Sequence, residues 1–197
     1  MSGLLIAFEG LDQSGKQTQA ELLRARLEQE GRTSRLISFP DYGTSIGEEI
    51  ARALRGEREY GPDLMQLLYV ANRYERKPEL QRWIDGGEIV VCDRYIASGI
   101  AYGEAQGLDA AWLAEIQRCL PPPALTIVLD IAPDTAVRRK TVDRDRYERD
   151  LAMLALVRES YRRQAAAADW TLVDGERPKD AVAADVFGAV ASRLGPP

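Results

Sequence analysis

The fold is decided by FEGLDQSGKQTQ, residues 8–19. The spacing GxxxxGK from Gly10 to Lys16 is typical of a phosphate-binding loop, in which glycines let successive backbone amides face phosphate oxygens and the lysine supplies a cation. An apolar run precedes the loop and a helical pattern follows it, which is the context that such a loop needs. Gln17 departs from the pattern, because Ser or Thr for magnesium normally follows the lysine. A chance turn between a strand and a helix therefore stays open as an alternative at this point.

The whole loop is a candidate site for nucleotide phosphates: Gly10, Leu11, Asp12, Gln13, Ser14, Gly15, Lys16, Gln17 and Thr18. Thr18 lies one position late for the usual magnesium contact, and the Gln17 amide oxygen or a water molecule is the alternative. Asp12 is unexpected, because a carboxylate inside an anion-binding loop repels the phosphates that the loop holds. We expect a hydroxyl group or a cation to face it.

Length and composition predict one cytoplasmic domain over residues 1–197. With 197 residues and 45% hydrophobic side chains, the chain can bury one substantial core. Its apolar runs are shorter than the roughly 20 residues that span a bilayer, and LLIAF lacks the basic flank of a signal peptide. A net charge of -5, from 26 basic and 31 acidic residues, argues against nucleic acid or an anionic membrane as a partner.

Two residue types limit the chemistry that can be expected. Cys92 and Cys119 lack the CxxC spacing of zinc and redox sites, so each is predicted to be a small buried hydrophobic residue. The sequence contains no histidine, which is the commonest general base and metal ligand. Any mechanism must therefore use carboxylates, hydroxyl groups, lysines and arginines.

Alternating strand and helix patterns predict an α/β fold of three layers, a five-stranded parallel sheet flanked by helices. The strands are expected in five apolar, β-branched runs: 4–10, 34–40, 88–94, 125–131 and 170–175. Helices are expected from near Gly15 to Gly31, over about 46–54, after Pro62, and over 109–120, 133–140, about 146–168 and 178–194. Pro78 is expected to kink the helix after Pro62 or to start a new one.

Polar residues near the predicted strand ends are the remaining candidates. Asp93 and Arg94 end the third strand, where open α/β sheets bind ligands, and suit magnesium and phosphate respectively. An ion pair at the strand end is the alternative. Tyr69 and Arg73 are four residues apart on one helix face and suit a nucleobase, although a core tyrosine and a surface arginine would give the same spacing. Further candidates for the same pocket are Phe39, Pro40, Ser98 and Tyr102.

Five motifs together resemble the thymidylate kinase family: FEGLDQSGKQT, FPDYGTSIG, LLYVANRYE, DRYIASGIAYG and DRYERD. They occur in order over residues 4 to about 165. The resemblance implies a P-loop kinase fold, Mg²⁺-dependent phosphoryl transfer from ATP to dTMP in the synthesis of dTTP, and a homodimer. The sequence departs from many members at Gln13 and from some at Tyr42, where those members carry arginine.

The resemblance also implies a role for each candidate residue. Asp12 would meet the deoxyribose 3'-hydroxyl, Tyr69 would stack on thymine, and Arg73 and Ser98 would contact the base. Arg94 would hold the acceptor phosphate, Tyr102 would crowd the 2' side of the sugar, and Phe39 and Pro40 would line the base pocket. Catalysis would depend on Asp12, Lys16 and Arg94, and magnesium on Asp93 and Glu148. Tyr147 and Glu148 would close over the nucleotide. The lid segment of about 138–147 would supply cations from Arg138, Arg139, Arg144 and Arg146. Of these arginines, Arg139 and Arg144 are predicted to bind ATP.

Two other functions stay open at the level of sequence. A deoxynucleoside kinase would need a carboxylate base for its hydroxyl acceptor and no arginine for an acceptor phosphate. A non-catalytic nucleotide-binding protein would explain Gln17. Transfer to a monophosphate needs no base, because the acceptor phosphate, with a second pKa near ~6, is largely a dianion at neutral pH. A chain without histidine is compatible with that reaction.

Overall fold

The structure is a computed structural model, which describes residues 3–139, 150–168 and 170–194. Its strands and helices alternate along the chain, as the sequence pattern predicts. The strands are β1 Leu4–Gly10, β2 Ser34–Ser38, β3 Ile89–Asp93, β4 Leu125–Asp130 and β5 Thr171–Asp174. The helices are α1 Lys16–Gln29, α2 Ser45–Leu54, α3 Pro62–Asp85, α4 Ile96–Ala105, α5 Ala110–Glu115, α6 Pro133–Arg139, α7 Leu151–Ala167 and α8 Lys179–Ala191.

The five strands form one sheet in the order β2-β3-β1-β4-β5, and every pairing is parallel. Strand β1 lies at the centre, where Phe8 is aligned with Asp93 of β3 and with Ile127 of β4. The carboxyl ends of β1, β3 and β4 therefore meet at one edge of the sheet. This arrangement confirms the predicted five-stranded parallel sheet.

Helices cover both faces of the sheet because successive residues of a strand point to opposite sides. On one face, Ile6 and Phe8 of β1 pack in a cluster with residues of α1 and α8. On the other face, Leu5 and Ala7 pack with Leu80 of α3 and with the start of α4. Buried residues of α4 and α7 continue the second layer. Both faces of β1 are thus apolar, which is why the strand reads as a continuous hydrophobic run.

Three helices differ from the sequence expectation, and one of them, α4, was not predicted at all. Helix α3 continues through Pro78 to Asp85, so the prediction of a new helix at Pro78 is wrong. Its buried residues lie on both sides of the proline, including Val70 and Leu80, and this packing outweighs the lost hydrogen bond. Helix α5 ends at Glu115, earlier than the expected residue 120. The expected start of α7 at residue 146 lies outside the described residues.

The structure also shows where the two cysteines lie and whether a described helix could span a membrane. Cys92 is buried in β3 as predicted, whereas Cys119 is exposed, so its predicted burial is wrong. Cys119 lies in the turn after α5, where the chain no longer follows a helical face. None of the helices that the structure describes is long and apolar enough to cross a lipid bilayer.

Candidate active site

The phosphate-binding loop connects β1 to α1, as the sequence predicts. Gly10 and Gly15 have φ angles of 133° and 96°, a region that glycine adopts without the steric cost of a Cβ atom. A Cβ atom at Gly10 would also lie 2.4 Å from the carbonyl oxygen of Leu129. Gly15 is the residue immediately before α1, so the amide groups of the first helical turn face the loop. The backbone conformation therefore explains why glycine occupies both positions of the motif.

Lys16 is almost fully buried at the start of α1. Its Nζ donates hydrogen bonds to the carbonyl oxygens of Gly10 and Leu11, at 3.2 and 2.8 Å. Burial and the cation of Arg94 lower the pKa of Lys16 from 10.5 to about 8, against the opposing effect of nearby carboxylates. The ammonium group is thus held inside the loop, in a position to meet phosphate oxygens.

Asp12 forms an ion pair with Arg94, at 2.6 Å between Oδ1 and Nη2. The hydroxyl group of Tyr102 donates a second hydrogen bond to its Oδ2, at 3.1 Å. Burial raises the pKa of the Asp12 carboxyl, but the cations of Arg94 and Lys16 have the larger combined effect and hold it well below its usual range. The carboxylate is therefore an anion that a cation and a hydroxyl group stabilise, as the sequence led us to expect.

Arg94 directly follows β3 and has a φ angle of 63°, which is uncommon for a residue other than glycine. Its amide donates to the carbonyl oxygen of Phe8, at 2.9 Å, so the backbone turns sharply at the sheet edge. Its Nη1 donates to the carbonyl of Gly10, to Ser98 and to Tyr161, at 3.2, 3.1 and 3.3 Å. These contacts fix the guanidinium group against the phosphate-binding loop.

One cavity brings together the predicted acceptor residues that the structure describes. It lies between α3, α4 and the loop, and Tyr69 and Arg73 of α3 both contribute to its wall. The predicted residues that line it are Asp12, Phe39, Pro40, Tyr69, Arg73, Arg94, Ser98 and Tyr102. Arg73 is buried, so it is not the surface arginine of the alternative interpretation, and Arg94 pairs with Asp12 rather than with its strand-end neighbour Asp93. We name this cavity the acceptor cavity.

A second cavity lies over the phosphate-binding loop, and we name it the donor cavity. Asp93 and Arg139 line it together with the loop residues Asp12, Gln13, Ser14, Gly15, Lys16, Gln17 and Thr18. Arg139 lies across the loop, because its Nη1 donates to the carbonyl of Gln13 and its Nη2 to that of Gly175, at 3.1 and 3.0 Å. Asp12 and Arg94 line both cavities. The two sites therefore meet at that ion pair.

Comparisons with known proteins agree with this geometry. Residues 8–186 match the family model for thymidylate kinase. A thymidylate kinase of Schizosaccharomyces pombe is 39% identical over 147 residues, which are 75% of this chain and 70% of the relative. A thymidylate kinase of Thermomicrobium roseum is 37% identical over 202 residues, which cover 94% of this chain and 93% of the relative. The solved structure of thymidylate kinase from Candida albicans has a TM-score of 0.87 at 30% identity and covers 98% of this chain and 92% of its own.

The chain belongs to the thymidylate kinase family. The predicted family, the P-loop kinase fold and the class of enzyme, an ATP-dependent nucleoside monophosphate kinase that forms dTDP from dTMP, are thereby confirmed. Gln17 does not exclude the chain from the family. Its side-chain amide donates to Glu21 one turn further along α1, at 3.0 Å.

Several residues of this thymidylate kinase site were missed by sequence reasoning. Glu9 is fully buried, and it accepts hydrogen bonds from the amide of Tyr95 at 2.9 Å, from Ser98 at 2.5 Å and from Tyr161 at 3.4 Å. We name Glu9, Ser98 and Tyr161, with Arg94, the Glu9 network. Because Ser98 donates its one proton to Glu9, its hydroxyl group can only accept from a further partner.

Other residues were missed because they carry no motif. Gln66 and Gln106 line the acceptor cavity, and Arg177 and Lys179 line the donor cavity. Their sequence positions, in the second turn of α3, directly after α4 and at the start of α8, lie outside the parts of the motifs that sequence reasoning used. Arg138 lies next to Arg139 but donates to Thr135 of its own helix, at 2.7 Å. Four predicted residues lie outside the described part of the chain: Arg144, Arg146, Tyr147 and Glu148.

Proposed function

We propose that the acceptor cavity binds dTMP, that the donor cavity binds the phosphates of ATP, and that the γ-phosphoryl group passes between them beside the Asp12–Arg94 pair. The observation that carries this proposal is that these two residues line both cavities. Phosphoryl transfer depends on holding donor and acceptor in line and on neutralising charge. The guanidinium group of Arg94, fixed where the two cavities meet, can hold the reacting phosphates in position and neutralise their charge.

On the acceptor side, charge and shape match a deoxynucleoside monophosphate. Arg94 supplies donors for the phosphate, and the permanently ionised Asp12 supplies an acceptor for the sugar 3'-hydroxyl. The rings of Tyr69 and Phe39 suit stacking and packing against a pyrimidine, and Arg73 supplies donors for its edge. The ring of Tyr102 packs against Arg94, with the guanidinium carbon 5.2 Å from the ring centre. This contact supports the proposal that Tyr102 crowds the 2' side of the sugar and favours deoxyribose.

On the donor side, the backbone amides of the loop, the amino end of α1 and the Lys16 ammonium stabilise phosphate charge. Arg139 adds a second cation over the loop, which supports its predicted contact with ATP. The acceptor phosphate is itself the nucleophile and needs no base. Asp12, held ionised and already bonded to Arg94 and Tyr102, therefore orients the sugar rather than removing a proton.

The donor cavity also fits a magnesium ion. Asp93 lies at its edge, and the Asp93 Oδ1 is buried with no hydrogen-bond partner in the part of the chain described. Magnesium bound with nucleotides is usually held by one or two carboxylates, phosphate oxygens and water. Asp93 would hold the ion directly or through water, and the second predicted ligand, Glu148, lies outside the described residues. The bound ion would neutralise charge on the phosphates of ATP.

We also propose that the protein is a homodimer of one-domain subunits, as the resemblance implies. Leu64 and Leu67, three residues apart on α3, are 44% and 43% exposed. Residues at this spacing share one helix face. A second copy packed against α3 would cover both side chains without blocking the cavities on the sheet edge.

The proposed function is tested by an acceptor panel. Purified protein is mixed with ATP, Mg²⁺ and, separately, dTMP, dUMP, dCMP, UMP, AMP or thymidine, and ADP release is followed. We expect the highest kcat/KM with dTMP. Turnover with thymidine but not dTMP would favour a deoxynucleoside kinase, and ATP binding without turnover on any acceptor would favour a non-catalytic protein.

A further inference from the structure

Arg73 is a buried cation with very few partners. Its side chain is 3% exposed in the wall of the acceptor cavity. Burial lowers its pKa, an effect that Glu9 and nearby tyrosines oppose. Among the described residues its one hydrogen bond runs from Nη1 to the Oε1 of Gln117, at 2.8 Å, and its Nε is buried without a partner. An arginine can only donate, so its remaining donors are available for an acceptor atom in the cavity.

Gln117 is held in one orientation from behind. It lies in the turn that follows α5 and is 1% exposed. Its Nε2 donates to the carbonyl oxygens of Leu113 and Ile96, at 2.9 and 3.4 Å. Because both carbonyls can only accept, the amide nitrogen must face them and the amide oxygen must face Arg73. A flipped amide would lose all three hydrogen bonds.

Helix α4 leaves room for this contact at Gly99. A Cβ atom there would lie 3.0 Å from Gln117 Nε2 and 3.1 Å from Arg73 Nη1, so a larger residue would push the two side chains apart. The partner is also neutral. A carboxylate in the same place would pair with two donors of the guanidinium group, whereas one amide oxygen fixes a single corner of it.

We propose that Gln117 is a positioning residue that directs Arg73 into the acceptor cavity, so that the cavity favours a pyrimidine presenting a carbonyl oxygen to the guanidinium group. Thymine and uracil carry such an oxygen at position 4, where cytosine carries an amino group that can only donate. This inference rests on the proposed binding of dTMP in the acceptor cavity. It assigns base selection to a side chain from a turn that the motifs do not include.

The test compares Gln117→Leu with wild type on dTMP, dUMP and dCMP. We expect KM for dTMP to rise roughly tenfold or more, with KM for ATP and kcat changed less than about twofold. The ratio of kcat/KM for dTMP to that for dCMP should fall roughly tenfold, because the Arg73 guanidinium group loses the hydrogen bond that fixes its orientation toward the base. The ratio of dTMP to dUMP, which depends on the methyl group, should stay the same.

Gln164→Leu is the matched control. Gln164 is a partly buried glutamine that bonds Ser160 and the carbonyl of Ala97, at 3.2 and 3.4 Å, and so joins α7 to α4. We expect it to leave both base ratios unchanged. If Gln117→Leu does not fold, as judged by thermal unfolding, Gln117→Glu replaces it, since that variant keeps an oxygen toward Arg73 but loses the donor and adds a charge. It should also lower the dTMP to dCMP ratio, because the carboxylate would pair with two donors of Arg73 and leave fewer of them for the base.

Unchanged base ratios in the folded Gln117 variant, or an equal change in Gln164→Leu, would overturn the inference. The proposed function fails separately. If wild type does not turn over dTMP, the assignment of the acceptor cavity is wrong. If wild type does so and the Gln117 variant matches it in all three substrates, only the role of Gln117 is wrong.

Discussion

Asp12 shows what single residues reveal in the sequence and what they do not. A carboxylate in an anion-binding loop is unfavourable unless cations face it, so the sequence alone predicts a partner. The family resemblance implies the deoxyribose 3'-hydroxyl as that partner, and the pairing with Arg94, 82 residues away, is visible only in the structure. Glu9 and Gln117 could not be predicted, because a buried glutamate or glutamine has no local pattern that distinguishes it from a surface residue. Their partners lie 86 and 44 residues away.

Replacement of Asp12 by Asn should lower kcat with dTMP by roughly tenfold or more. The amide keeps the size of the side chain but removes the charge that balances Arg94 and Lys16 in a buried place. Steady-state kinetics with dTMP and with ATP measure the effect. Asp85→Asn, the same change at an exposed aspartate that lines neither cavity, is the control and should leave kcat unchanged. Equal kcat for wild type and Asp12→Asn would show that the ion pair has no part in turnover.

Activity should fall in alkaline solution as Lys16 loses its proton. Burial and the cation of Arg94 lower the pKa of Lys16 to about 8, although Asp12, Asp93 and Glu9 favour the charged form. The charged form therefore predominates below pH 8, and kcat/KM for ATP should decrease as the pH rises above it. In Lys16→Arg the cation persists at high pH, so this decrease should be absent even if the activity is lower. A wild-type profile that is flat from pH 7 to 9.5 would contradict the prediction.

At the scale of elements, buried strands were predicted well, whereas helix α4 was not predicted at all. Strands β1, β3 and β4 are buried on both faces, so each reads as an uninterrupted apolar run. The predicted ends of all five strands lie within about two residues of those in the structure. Helix α4 has no clear pattern, since Gly99 and Gly103 lower its propensity and its small residues pack closely against neighbours. Tyr161 of helix α7 contacts Arg94 and Ser98 in the site. The helical pattern of α7 predicts only that Tyr161 is a core residue.

Tyr161→Phe should test the Glu9 network. Loss of the hydroxyl removes partners of Ser98, Arg94 and Glu9, at 2.8, 3.3 and 3.4 Å. We expect kcat/KM for dTMP to fall about three- to tenfold and the free energy of unfolding to fall by about 1 kcal/mol. Tyr60→Phe, which loses one hydrogen bond to Glu49 away from both cavities, is the control for stability alone. If both variants keep wild-type kcat/KM, the network does not position Arg94.

For the whole molecule, the parallel sheet explains why residues from distant motifs form one site. The carboxyl ends of β1 and β3 are aligned, which places the loop after β1 beside Asp93 and Arg94. The motifs are far apart in the sequence, but those that follow β1 and β3 lie at the same edge of the sheet. The proposed homodimer is not encoded in any single motif, and the contact between its subunits would depend on exposed apolar residues such as Leu64 and Leu67.

Leu67→Glu should shift the protein from dimer to monomer. A charge in the proposed interface would be buried without a partner, which is strongly unfavourable. Light scattering with size-exclusion chromatography measures the mass in solution. Leu156→Glu, at a leucine of α7 that is 57% exposed, is the control and should not change the mass. A wild-type mass of one subunit, or a Leu67→Glu dimer, would contradict the role of this face.

The donor and acceptor cavities meet at the Asp12–Arg94 pair. This arrangement is tested by the affinity of one molecule that occupies both cavities, adenosine and thymidine joined through five phosphates, measured by calorimetry beside dTMP and ATP. We expect this molecule to bind at least roughly a hundredfold more tightly than dTMP alone, because its second half binds intramolecularly, and we expect Arg94→Ala to lose this gain. An affinity no higher than that of dTMP would show that the two cavities do not meet at this pair.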